Sequence, residues 1–248
     1  MVNPKEQQEC TVGTASTRQT SVTVGGWSLI AATVLFAAVF GYLASTFDYP
    51  AVLDNSAADV LPRLLALGDT GRAVWVIYGL IPLLLVPTGR GIAAAARIAA
   101  PRLGTLALWL AVFSAVAMMI GLLRWPTLHW GLARAWAAAS PAWREGLAAT
   151  FDNANRYLGN VIGEFFGELF LNGFFLVASL ALAAAAPNRR WLVYTGGAAS
   201  GLGWVAMLRN LTPLVTPVAA VNNIVLPLWM LLLGTALVTT RTHTSTPD

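Results

Sequence analysis

The sequence predicts an all-α, polytopic six-helix transmembrane bundle with short amphipathic helices in its outer connections. Three observations carry this reading. Charged residues make up 10% of the chain, against about 25% in a soluble domain, and mean hydropathy is +0.66. The apolar residues gather into six runs, each approaching or exceeding the ~17–25 residues needed to cross a bilayer. The first connection between those runs is net acidic, the second and fourth carry arginines without acidic residues, and the third is mixed.

Residues 1–24 open the chain as a polar tail rich in Thr, Gln and Ser, expected to be disordered and cytoplasmic. This stretch is too long and too weakly basic for an ordinary cleavable signal peptide. No A-x-A-like site follows the first apolar run, so that run reads as a retained spanning helix. The membrane domain covers residues 25–240, with spans at 26–46, 72–94, 103–123, 154–182, 191–208 and 217–238. Alanine and leucine dominate these runs and favour helix. Pro82, Pro87 and Pro227 fall inside spans and predict kinks rather than ends. A short tail, residues 241–248 with His243, closes the chain on the cytoplasmic side. Four spans plus two buried soluble helices is the alternative arrangement.

Orientation follows from the short connections. The second carries Arg90, Arg97 and Arg102 and the fourth carries Arg189 and Arg190, with no acidic residue in either, which reads as cytoplasmic. The first carries Asp48, Asp54, Asp59 and Asp69 against Arg63 and Arg72, and reads as outer. An even number of spans then puts both termini in the cytoplasm. In the first connection Ser56 begins a short amphipathic helix through Leu65, with Val60, Leu61, Leu64 and Leu65 on one side. Pro62 favours a start near Leu61, with Asp59 or Val60 as its cap. The third connection holds Trp125, Trp130, Trp136 and Trp143, as suits a membrane interface. Ser140–Pro141 reads as a cap and first helical position, opening a helix that runs into the fourth span. Together these pieces predict a roof over the outer face.

The fourth span carries the chemistry. Arg156, Asn160, Glu164, Glu168 and Asn172 follow one another at intervals of four, which stacks them on one face of a helix. Carboxylates at that depth must face protein or water. Arg124, Arg156 and Arg209 fall on the same outer side and converge over the two glutamates; Asn210 follows Arg209. Arginine offers a rigid fork for carboxylate or phosphate. The bland reading is a buried structural network, with Arg209 or Arg124 paired to Glu164. A second is a binding or translocation site, and a third is acid–base chemistry by Glu164 and Glu168 on a lipid-linked substrate. Asp48, Tyr49 and His129 are outer-side candidates, with a turn at Asp48 and an interfacial or hydrogen-bonding His129 as their ordinary roles. Asn222 and Asn223 join the outer polar layer or satisfy backbone. Gly159, Gly163 and Gly167 form a small-residue ridge beside the polar one, and Gly197 and Gly201 repeat the spacing in the fifth span; both predict close helix packing.

Cys10 is the sole cysteine, so an intrachain disulfide and a multi-cysteine metal site are excluded. His129 and His243 stand far apart and define no metal site. The net charge of +4 has no nucleic-acid-binding pattern beside it, and no phosphate loop, serine elbow or HExxH run is present. No cofactor is expected. The expected partners are membrane lipids, with a second copy of the chain or another membrane protein as further possibilities, and no nucleic acid.

Phe47–Asp48–Tyr49–Pro50, then Asn155–Arg156–Tyr157–Leu158–Gly159, Gly163–Glu164 and Glu168 resemble the bacterial integral-membrane family called domain of unknown function 4386. The resemblance covers about residues 25–240 and includes the tryptophan-bearing third connection. It implies a six-span protein of the bacterial cytoplasmic (inner) membrane and brings no reaction, substrate or cofactor with it. The function expected is a structural or membrane-component-binding role for the polar network. A secondary transporter or small-solute permease is the first alternative, and an intramembrane enzyme the second.

Overall fold

The computed structural model describes residues 4–240, with side chains described from residue 16 onward apart from Asp54 and Asn210. The C-terminal tail with His243, and the Cys10 side chain, lie outside the described residues. Among those residues the chain is helical throughout and contains no strand.

Helix α1 (Pro4–Phe47) leads, through a turn, to α2 (Ala57–Ala66), the first helix of the roof. The second span is α3 (Gly68–Leu80) and α4 (Leu85–Ala95), joined by a 3₁₀ turn over Ile81–Leu84. Pro82 lies in that turn and Pro87 in the first turn of α4, so the missing amides coincide with the break. Helix α5 (Pro101–Leu123) continues through a π turn, Trp125–His129, into α6 (Trp130–Ala138). Helix α7 (Pro141–Ala154) starts at a Ser140 N-cap with proline first, as predicted, and passes unbroken into the fourth span. That span is a π-helical run, Asn155–Phe166, followed by α8 (Gly167–Ala185). Helices α9 (Trp191–Ala206) and α10 (Thr216–Val238) complete the chain.

The spanning helices close into a ring. Each packs on the next in the order α1, α4, α5, α8, α9, α10, and α10 returns to α1. Small residues permit these approaches. A Cβ on Gly25 would stand 2.9 Å from the Gly91 Cα, so α1 and α4 meet backbone to backbone. Thr88 adds a hydrogen bond from Oγ1 to the Gly25 carbonyl at 3.1 Å. Arginines close two helix ends on the side where both described termini lie. Arg18 donates from Nε to the Ala94 carbonyl at 2.9 Å. Arg189 donates to the carbonyls of Ala236 and Thr239 at the end of α10. Cations there satisfy orphan carbonyls and complement the helix dipole.

Two expectations about the elements change. Residues expected to form an irregular tail are helical from Pro4, because Val22, Gly25 and Gly26 bury against α4 and α10 and Arg18 and Gln19 are tied to neighbouring helix ends. Helix α2 takes the earlier of the two starts the sequence offers, at Ala57 rather than near Leu61. Ser56 is its N-cap, with the Ser56 hydroxyl donating to Asp59 at 2.7 Å, and Pro62 is carried inside the helix.

Five helical stretches are long and apolar enough to cross a membrane: Ser16–Phe47, Gly68–Ala95, Pro101–Ala138, Pro141–Ala185 and Pro213–Val238. In the third, only 33% of the most apolar window is buried; side chains such as Trp109, Phe113 and Ile120 point outward from it. A water-soluble surface does not leave such continuous apolar area open. The chain is an all-α bundle of the kind that belongs in a membrane. The predicted fifth span is not among these five: α9 has 16 residues, or about 24 Å at 1.5 Å per residue. A 3₁₀ turn, Met207–Asn210, lengthens it.

Candidate functional site

The polar side chains of the fourth span meet the end of α9. Arg209, on the 3₁₀ turn after α9, donates from Nη1 to Glu168 Oε2 at 2.9 Å and from Nη2 to Glu168 Oε1 at 2.7 Å. Nη2 also reaches Glu164 Oε2 at 2.9 Å. The fork is thus bidentate on Glu168 and shared with Glu164, the geometry in which a guanidinium binds carboxylate most strongly. Side-chain exposures of 30% for Arg209, 24% for Glu164 and 17% for Glu168 put the triad at the edge of the packed interior rather than at its dry centre.

The local backbone explains how two glutamates four apart serve one arginine. Glu164 sits in the π-helical run and Glu168 in the first turn of α8. The wider i→i+5 winding is rare and in other proteins accompanies functional sites. Here it also brings the Gly159, Gly163 and Gly167 ridge flat against α5. A Cβ on Gly163 would stand 2.7 Å from the Gly121 Cα. The ridge therefore packs α5 and the fourth span together inside one chain.

Arg124 is the second cation. It is 5% exposed, lies against Gly159, donates to the Gly121 carbonyl, and donates from Nη2 to Asn155 Oδ1 at 2.7 Å. Asn155 in turn donates to the Leu53 carbonyl of the roof at 3.3 Å. The guanidinium also lies over the Trp125 ring at 5.1 Å. Glu164 is within the electrostatic reach of Arg124. The two arginines and two glutamates form a set of zero formal charge, with Arg209 the direct partner of both glutamates.

Tyr49 and Tyr78 face this set. Their hydroxyls are 3.4 Å apart, and Tyr49 feels Glu164, Arg124 and Arg209. Burial pushes the Tyr49 phenol above its usual range, so it serves as a neutral hydroxyl. Behind it lies an aromatic cluster in which Trp75 stacks on Trp125 at 4.8 Å. Tyr78 was not singled out in the sequence. Its only signal was the helical spacing of Gly71, Trp75 and Tyr78, all buried on one face of α3.

The other predicted residues divide. Asn172 is 2% exposed, donates to the Glu168 carbonyl at 2.8 Å, and packs against Gly203 of α9. Asn160 is half-buried beside the triad's run. Arg156 is exposed and makes no hydrogen bond or ion pair among the described residues, because it points away from the face that meets Arg209. The Asn210 side chain lies outside the described residues. Asp48 has φ of +57° and closes the turn after α1 through its carbonyl, with a loose, exposed contact to Arg63 at 3.9 Å. The roof folds over His129, leaving it fully buried between Trp125 and Phe151, with neither ring nitrogen hydrogen-bonded among the described residues. Asn222 is buried and Asn223 exposed. Gly197 and Gly201 face open space; Gly196 and Gly203 make the close approaches in α9 instead.

Residues 24–234 match the family described as Domain of unknown function (DUF4386). The chain belongs to this family. The match begins inside α1 and ends inside α10, so Arg124, Glu164, Glu168 and Arg209 all fall within this DUF4386 domain. No curated protein and no solved structure matches the chain.

Proposed function

We propose that this DUF4386 protein is a multi-pass protein of the bacterial cytoplasmic membrane, with both termini cytoplasmic, whose Arg209–Glu164–Glu168 triad is a structural clasp. The observation that carries it is the saturation of the Arg209 fork by two carboxylates of the neighbouring helix. Helix α9 has only 16 residues, and the clasp fastens its outer end to the base of α8. An arginine near the edge of the hydrocarbon needs such partners, since an unpaired charge there is expensive. The second basic connection and the fourth support the cytoplasmic placement of the ends that Arg18 and Arg189 close.

A second reading is transport of a proton or small cation through the outer half. It is favoured by the partial exposure of the triad and by the π-helical winding at Glu164. One experiment separates the two. Arg209→Gln, Glu164→Gln and the triple change Arg209→Gln/Glu164→Gln/Glu168→Gln are compared in thermal unfolding and in proton flux of proteoliposomes. The clasp predicts a large loss of stability in Arg209→Gln, partial recovery in the triple change, and no flux in any protein. Flux in the wild type that Glu164→Gln abolishes, with stability unchanged, defeats the clasp.

A further inference from the structure

The turn between α8 and α9 forms a groove of about 440 Å³ lined by Ala183, Ala184, Pro187, Arg190, Val193 and Tyr194. Its wall is apolar apart from one cation and one phenol. Arg189, next in the chain, is committed to the end of α10. Arg190 is exposed and makes no ion pair or hydrogen bond among the described residues. Tyr194 is 77% exposed and Trp191 42% exposed, so two aromatic rings flank the cation where α9 enters the apolar layer. Tyrosine and tryptophan favour the depth of lipid headgroups.

We propose that this groove docks an anionic phospholipid, with its phosphate on Arg190 and an acyl chain along Val193 and Ala184. Charge complementarity selects the occupant. The connection 186–190 has arginines and no acidic residue, and neither does the connection on the same side that carries Arg97 and Arg102. A zwitterionic lipid would oppose Arg190 with its own cation, and a soluble phosphate would leave the alanine and valine wall in water. Arginine is suited to phosphate because its planar fork meets two oxygens at once. The inference rests on the membrane placement proposed above.

The test uses the full chain purified in detergent, with phosphatidylglycerol and phosphatidylcholine of identical acyl chains and native mass spectrometry to count retained lipids. Wild type should retain phosphatidylglycerol about fivefold more than phosphatidylcholine, the scale of one arginine near an anionic surface. Arg190→Gln should bring the two lipids to parity, Arg190→Lys should keep most of the preference, and Arg134→Gln, outside the groove, should keep all of it. Val193→Trp, which fills the apolar wall, should lower retention of both lipids. Equal retention of the two lipids by wild type, or an unchanged preference in Arg190→Gln, would overturn the site. Displacement by glycerol phosphate as effective as that by phosphatidylglycerol would also overturn it, by making a free phosphate the ligand. Flotation of the wild type with membranes, measured separately, tells failure of this site from failure of the membrane placement.

Discussion

Arg209 and Glu168 meet as two parallel N–H···O contacts, at 2.9 and 2.7 Å, while Glu164 receives a single contact at 2.9 Å from the same guanidinium. The pairing is therefore unequal although both carboxylates lie on one helix face. Glu168→Gln should destabilise the bundle more than Glu164→Gln, because it disrupts the bidentate fork. Arg209→Ala should exceed both, since it strands two carboxylates. Removing one member of a fully buried pair costs about 3–5 kcal/mol, and the partial exposure of this triad lowers the expectation to ~2–4 kcal/mol. Thermal unfolding in one detergent, with double-mutant cycles, measures the order. Equal losses for the two glutamine variants would contradict the fork.

The contact between α5 and the fourth span gives a second expectation. Gly121→Ala and Gly163→Ala each place a methyl group within 2.5–2.7 Å of the opposing Cα, where backbone must move to admit it. Overpacking of this kind costs about 1–3 kcal/mol. Gly197→Ala and Gly201→Ala meet nothing within 4 Å and should be neutral or slightly stabilising, by up to ~1 kcal/mol from helix propensity. Unfolding midpoints of the four single variants test both halves of the claim.

The same glycines show what was legible beforehand. A spacing of four identifies a face but not its partner, so the ridge in the fourth span and the one in α9 looked alike in sequence. The first meets Gly121; at the second, the packing falls to Gly196 and Gly203. Five of the six spans were readable because length and hydropathy are local, and a short choice of partners for Glu164, namely Arg124, Arg156 or Arg209, was readable because an apolar run holds few cations. The position of His129 was not. Its burial depends on α6 and α7 folding back over the end of α5, a tertiary event with no periodic signature. Arg156 fails for a related reason: i, i+4 stacking presumes α-helical winding, and the run from Asn155 is π-helical.

His129 leads to the third prediction. Its imidazole touches Trp125 and Phe151, with ring centroids at 4.6 and 4.7 Å, and no described residue bonds either nitrogen. A buried polar atom without a partner is a net cost of roughly 1–3 kcal/mol. His129→Phe keeps the aromatic volume and removes that cost, so it should leave stability unchanged or raise it. His129→Asn should lower it, by shrinking the side chain and keeping its polarity. A marked loss of stability in His129→Phe, read by the same thermal assay, would mean that the ring nitrogens have partners in the native membrane.

Tyr49 gives the alkaline limb of stability. Burial raises its phenol pKa in the folded protein, whereas the unfolded chain titrates near the ordinary value of about 10. The folded state therefore holds the proton over a range where the unfolded state has released it. The stabilising contribution is complete below about pH 10 and declines as pH rises through the folded pKa. Stability should fall with pH above ~10 in wild type, and Tyr49→Phe should flatten that fall by removing one ionisable phenol. Unfolding free energies measured between neutral and strongly alkaline pH decide it, and an identical alkaline slope in wild type and Tyr49→Phe would show that Tyr49 contributes nothing to the limb.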